Sequence, residues 1–192
     1  QIAADRGEGE SARKWFGEIE SEELRPEADI RSALSLAREN RIDEARALLQ
    51  RDIEDPDLAR RYLLAETQIL RDAERPAEAL ALLDAALRES PEDTGLLYEA
   101  AMLAERLDRM DLLESRLRRV LELQPDHAHA LNALGYSLAD RGLRLEEAEA
   151  LIARAHELMP QDPFILDSLG WVRFRRGDQV GALVHLERAY GM

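Results

Sequence analysis

The order of small and large residues between positions 125 and 190 occurs twice, and this duplication restricts the fold more than any other feature. Pro125 opens a stretch that runs Asp126, His127, Ala128, His129, Ala130, Leu131, Asn132, Ala133, Leu134, Gly135 and Tyr136. Gly142, Ala148, Ala155 and Pro160 follow, and then the pattern restarts with Leu166, Leu169, Gly170, Gly177, Ala182, Leu186 and Ala189. Gly135 and Gly142 stand 35 residues before Gly170 and Gly177. A period in the thirties with small residues at fixed places predicts an array of helical hairpins, each packed only on its neighbours. The residue types agree: alanine, leucine, arginine and glutamate dominate, and aromatic content is 5%. Strand-building β-branched residues are scarce, so the expected class is all-α.

Carried backwards, the pattern places units at 26–59, 60–93, 94–127, 128–162 and 163–192, with 1–25 as the C-terminal part of an incomplete one. In that first part, 1–7 reads as the tail of a helix and 11–19 as its partner. The extra residue of the fourth unit falls at 143–145, in the turn between paired helices, where an insertion disturbs packing least. Pro91, Pro125 and Pro160 mark boundaries, because the residue before proline is pushed out of helical geometry. Asp55-Pro56 and Asp162-Pro163 read as an N-cap followed by proline at the first helical position. The expected helices are 126–141 and 144–159, then 162–176 and 179–190, with Gly142 and Gly177 supplying the left-handed turn that stops the first of each pair. In the second unit Glu74-Arg75-Pro76 occupies that place, and Pro76 is expected to start the second helix. Ala101, Gly135 and Gly170 are expected where a first helix meets its second, opposite Ala45, Ala79, Ala148 and Ala182, because close approach leaves no room for larger groups. Asp29 and Asp52 stand at places that are otherwise apolar or small. The last helix is expected to expose Val180, Leu183, Val184 and Tyr190, a face for an interface or for further chain to cover.

The formal net charge is −14, and arginine supplies every positive charge except Lys14. No basic stripe is present to displace phosphate counterions, which argues against nucleic acid, and an anionic membrane surface would repel such a chain. There is no cysteine, so disulfides and thiolate chemistry are excluded. No run of about 18 apolar residues exists to span a membrane. The chain opens at Gln1 with no initiator methionine or signal peptide, and is expected to be a piece of something longer. His127 and His129, two apart at a helix start, do not share a face, and His156 and His185 read as isolated, so no metal site is expected. The segment 6–10 has two glycines but lacks the lysine and hydroxyl of a phosphate loop. Ser137 and Ser168 sit within helices without a nucleophile elbow. The carboxylates read as solvated faces and caps, since an open solenoid rarely offers the closed pocket a general acid needs. The expectation is a noncatalytic chain without cofactor or metal.

A 34-residue helix-turn-helix unit with these small residues resembles the tetratricopeptide repeat (TPR), over nearly the whole chain. The resemblance implies an α-solenoid, a right-handed superhelix of about five and a half repeats. More narrowly, His129-Ala-Leu-Asn-Ala-Leu-Gly-Tyr-Ser-Leu-Ala-Asp140 followed by Asp167-Ser-Leu-Gly-Trp171 is similar to the C-terminal arrays of proteobacterial envelope TPR proteins. These include outer-membrane lipoproteins that hold periplasmic C-terminal processing proteases or cell-wall hydrolases. In TPR arrays the first helices line a concave groove, and the matching positions here are Leu64, Gln68 and Arg71, then Tyr98, Met102 and Glu105. They continue as Asn132, Tyr136 and Ala139, and end with Asp167, Trp171, Phe174 and Arg175. Polar-tipped aromatics are the usual interface anchors, although Trp171 and Phe174 could instead fill core gaps in the last unit. The clamp by which some TPR proteins grip a terminal carboxylate uses groove lysines and asparagines; only Asn132 stands at such a place here. The resemblance thus implies a protein-binding adaptor in the periplasm, tethered at the outer membrane in the full protein, with a cytoplasmic location left open. The alternative is a self-associating assembly module of an envelope or pilus complex, a homo-oligomer through the C-terminal helix. By either route the fragment itself inserts into no membrane.

Overall fold

The structure, a computed structural model, describes residues 24–51 and 53–191. The expectations for 1–19 and for Asp52 lie outside the described residues. Among the described residues there are ten helices and no strand: α1 Arg25–Arg38, α2 Ile42–Leu49, α3 Pro56–Asp72, α4 Pro76–Glu89, α5 Thr94–Arg106, α6 Met110–Leu123, α7 Ala128–Asp140, α8 Leu145–Leu158, α9 Pro163–Arg175 and α10 Gln179–Tyr190. The chain forms an α-solenoid of helical hairpins and divides into two compact units, with the division between Ala86 and Leu87, inside α4.

Helix starts follow local chemistry. Asp55 Oδ1 accepts from Asp57 N at 2.9 Å and Leu58 N at 3.2 Å, with Pro56 as first helical residue. Asp162 does the same for Phe164 N and Ile165 N, and Asp93 and Asp178 cap α5 and α10. These side chains satisfy amides that have no partner inside the helix. Among the described residues, the first helices of the hairpins end in one hydrogen-bond pattern. The first helix of each hairpin stops at a residue of positive φ: Asn40, Glu74, Asp108, Gly142 and Gly177. The amide one residue later reaches back across the last turn, as in Arg75 N to Leu70 O at 2.9 Å and Leu143 N to Leu138 O at 2.9 Å. This is the Schellman clasp, which usually recruits glycine because other residues pay for φ > 0. Glu74 thus adopts the left-handed geometry that sequence reading assigned only to glycine, and Pro76 does begin α4. The inserted residue of the fourth unit appears as a second left-handed position, Arg144 at φ 44°, just before α8.

The first unit carries a core of Ala33, Leu36, Ala45, Leu49, Tyr62 and Ile69 on α1, α2 and α3. Two acids enter it with partners. Asp29 is 6% exposed, accepts from the Tyr62 hydroxyl at 2.9 Å, and pairs with Arg51 at 3.0 Å and Arg25 at 3.3 Å. Glu66, equally enclosed, accepts from Arg46 Nε at 2.8 Å and Gln50 Nε2 at 2.7 Å. A buried carboxylate persists where its charge is paired and its lone pairs are used, which explains an aspartate at a place otherwise held by apolar residues.

The second unit is built on Leu113, Leu117, Leu134, Leu138, Ile152, Ile165 and Val172, with the alanines between them. Helix α7 packs on α8, and α9 on α10. A Cβ at Gly135 would stand 2.6 Å from Ile152 Cγ1 and 2.8 Å from the Ala148 carbonyl oxygen, and one at Gly170 would stand 2.7 Å from Leu186 Cγ. Ala45, Ala79, Ala101, Ala148 and Ala182 are all buried, as close approach requires. On α10, Val180, Leu183, Val184 and Tyr190 are exposed, Tyr190 at 96%.

Candidate protein-binding face

Because Gly135 and Gly170 turn one face of α7 and α9 onto the following helix, the residue after each glycine lies about 100° further round. Those residues are Tyr136, 38% exposed, and Trp171, half-buried. Trp171 leans against the core on one side and stacks on Phe174 on the other, ring centroids 5.7 Å apart at 27°. Phe174 is 48% exposed, whereas Trp171 packs partly buried against the core. Asp167 is exposed one turn before Trp171, and Asn132 is half-buried one turn before Tyr136. The Asn132 Oδ1 and Trp171 Nε1 atoms are buried with no hydrogen-bond partner.

Helix α5 brings Tyr98, Met102 and Glu105 to the same unit, the first two packed against its core. Glu105 Oε1 accepts from the Ser137 hydroxyl, tying α5 to α7. Tyr98 stacks on His127 at 5.4 Å, and His127 Nδ1 accepts from Ala130 N, so this histidine is the N-cap of α7 rather than a solvated side chain. Arg175 crosses from α9 to the end of α7, where its guanidinium donates to the Asp140 carbonyl and lies 5.5 Å from the Trp171 ring. Ala139, expected among the outward groove positions, is fully buried.

Burial, followed by the charges of Asp140, Asp167 and Glu105, pushes the Tyr136 hydroxyl pKa up. Tyr98 is raised in the same way by burial, Glu99 and Glu105. Both phenols therefore stay protonated and able to donate at neutral pH. In the first unit, Leu64 is half-buried, and the polar residues near it satisfy one another. Gln68 Nε2 donates to Asp72 at 2.7 Å while Gln68 Oε1 accepts from Arg71. A cavity of about 460 Å³ lies beside Gln68, lined by Leu34, Ala37, Ile42 and Asp72 among others.

Among the described residues no group of three or more histidine, aspartate or glutamate side chains is placed to hold a metal ion, and no helix is long and apolar enough to cross a membrane. Burial lowers the pKa of His185, and Arg173, His156 and Arg188 lower it further against a small opposing effect of Asp178.

No protein-family model matches the sequence. Over 163 residues, 84% of the chain, it is 41% identical to TPR repeat-containing protein PA4667 of Pseudomonas aeruginosa, and it spans 28% of that relative's length. Among solved structures, MamA 41-end from Desulfovibrio magneticus RS-1 superposes with a TM-score of 0.69 at 19% identity, covering 86% of this chain and 93% of that one. YrrB, described as a TPR protein with an unusual peptide-binding site, superposes with a TM-score of 0.63 at 24% identity, covering 84% and 83%. At these identities the solved structures speak for the fold. Five clasped hairpin turns, glycine and alanine at the close contacts, and these neighbours in structure give the chain the α-solenoid fold of TPR repeats, and in sequence it is similar to a TPR repeat-containing relative.

Proposed function

We propose that the chain is a noncatalytic interaction scaffold that holds a protein segment against the first helices of its hairpins. The observation that carries this reading is the Tyr136, Trp171 and Phe174 surface, which leaves aromatic area uncovered in a chain with so few aromatics. Large, stiff aromatic groups with polar tips supply most of the binding energy at protein interfaces. On the second unit, the residues read as lining the groove serve as contacts. The sequence resemblance to envelope TPR lipoproteins supports a periplasmic C-terminal processing protease or peptidoglycan hydrolase as the client, and an outer-membrane tether in the full protein. Affinity capture from a bacterial envelope extract, with wild-type and Trp171→Ala baits of equal helicity, tests this. Recovery of a protease or hydrolase by wild type alone supports the reading; equal recovery by both baits refutes the site.

A second reading has its own observation. Val180, Leu183, Val184 and Tyr190 form an exposed apolar strip on α10, which favours self-association through that helix. Light scattering decides: a dimer or larger species dissociated by Val184→Glu supports it, and a monomer refutes it.

A further inference from the structure

We infer that the segment held on the second unit is basic, with lysine or arginine side chains seated over Tyr136, beside Trp171, among the carboxylates of Glu105, Asp140 and Asp167. The inference rests on the groove reading above and names the chemistry of its occupant. Three helices contribute the acids: Glu105 from α5, Asp140 from α7 and Asp167 from α9. Asp140 stands one helical turn after Tyr136, Glu105 is tied to the adjacent Ser137 hydroxyl, and the charges of all three acids bear on the Tyr136 hydroxyl. Several cations on or just beyond these helices are already engaged, and one of them, Arg175, lies at the Trp171 ring, which leaves Tyr136 as the open ring. Arg141 pairs with Asp108 at 2.7 Å, Arg173 and Arg176 pair with Glu149, and Arg175 is held by the Asp140 carbonyl and the Trp171 ring. Asp140 and Asp167 remain exposed. The surface is therefore aromatic and negative at once. A cation gains from both, through the Tyr136 ring and through the carboxylates, whereas an acidic segment would be repelled by all three acids. The formal net charge of −14 draws such a segment in from a distance.

Spacing adds a constraint. Packed helices lie about 9 Å apart, and an extended chain rises about 3.3 Å per residue. Basic residues about three apart then meet acids from successive helices.

The test uses the 192-residue chain and three capped peptides, Ala-Lys-Ala-Ala-Lys-Ala and the same sequence with Gln or with Glu in place of Lys. Nitrogen-15 spectra report the indole N–H of Trp171, assigned with Trp171→Phe. The lysine peptide is expected to shift this signal saturably and to bind at least about tenfold more tightly than the glutamine peptide. The glutamate peptide is expected not to bind. Asp167→Asn and Asp140→Asn, both surface changes, should each weaken the lysine peptide about two- to fivefold. Raising NaCl from about 50 to about 300 mM should weaken it further. Equal binding of the lysine and glutamine peptides, or tighter binding of the glutamate peptide, overturns the charge inference and leaves the groove reading standing. No shift of Trp171 by the lysine peptide up to about 5 mM also overturns it, and the envelope capture with Trp171→Ala then judges the groove by itself.

Discussion

Adding one methyl group at Gly135 measures how tightly the hairpins of the second unit are closed. Alanine is favoured over glycine inside a helix by about 1 kcal/mol, so an unconstrained site would gain stability. Here the new Cβ would lie 2.6 Å from Ile152 Cγ1 and 2.8 Å from the Ala148 carbonyl oxygen, well inside the usual separation of about 3.5–4.0 Å. Ile152 is fully buried, and the carbonyl belongs to the α8 backbone, so neither can rotate aside. Overpacking costs about 1–3 kcal/mol, and a clash with backbone that cannot move belongs in the upper half of that range, which leaves Gly135→Ala destabilised by about 1–2 kcal/mol. The melting temperature should fall by about 2–8 °C. Gly170→Ala is the internal comparison. Its nearest neighbours are the Leu186 Cγ and Cδ2 atoms of a half-buried side chain that can shift, and its backbone neighbour, the Ala182 oxygen, is farther away at 3.2 Å. Its loss should therefore be the smaller of the two. Urea and thermal unfolding followed by circular dichroism read both. A Gly135→Ala variant as stable as wild type, or one less affected than Gly170→Ala, would refute the close-approach argument.

Three further perturbations follow from the turns, the buried acids and His185. Glu74→Gly should stabilise the chain by about 0.5–1 kcal/mol, because glycine takes the left-handed position without steric cost; an unchanged or lower urea midpoint would count against the clasp. Tyr62→Phe removes the hydroxyl donated to buried Asp29 and should cost about 1.5–3 kcal/mol; a cost under half of that in urea would mean the arginines alone satisfy the acid. Burial and the Asp29 hydrogen bond push the Tyr62 pKa up to about 12, so its contribution holds below about pH 10 and is lost as pH rises toward 12. For His185 the folded pKa is lowered, so the unfolded chain takes up the proton first. Its contribution is complete above about pH 6.5 and declines as pH falls through the lowered folded value. Wild type should therefore lose more stability than His185→Gln between about pH 7.5 and pH 5, and parallel urea midpoints would show the histidine to be indifferent.

The repeat was legible because its periodic marks are steric. Gly142 and Gly177 announce positive φ, Asp55 and Asp162 stand before proline, and Ala148 and Ala182 leave room that nothing larger fits. The left-handed turns at Asn40, Glu74 and Asp108 were not legible, since there the hydrogen-bond clasp imposes a geometry the residue itself does not prefer. Asp29 looked like a misfit because its partners, Tyr62 and Arg51, lie 33 and 22 residues away. On the candidate face the sequence named Tyr136, Phe174 and Asp167, and all three are exposed. It did not show that Arg175 is spent on the Asp140 carbonyl, or that Gln68, Arg71 and Asp72 answer one another. Those facts depend on rotamers, which a helical phase does not specify.

The left-handed Arg144 shows how the array absorbs a miscount. An added residue is taken up in a kink ahead of α8, and the clasp from Leu143 N to Leu138 O closes as it does in every other described hairpin. Rotational phase is reset at each bend instead of being inherited from the preceding rod, so a length error stays where it arises. A short foreign peptide spliced beside Arg144 should accordingly leave both flanking helices facing the way they do now.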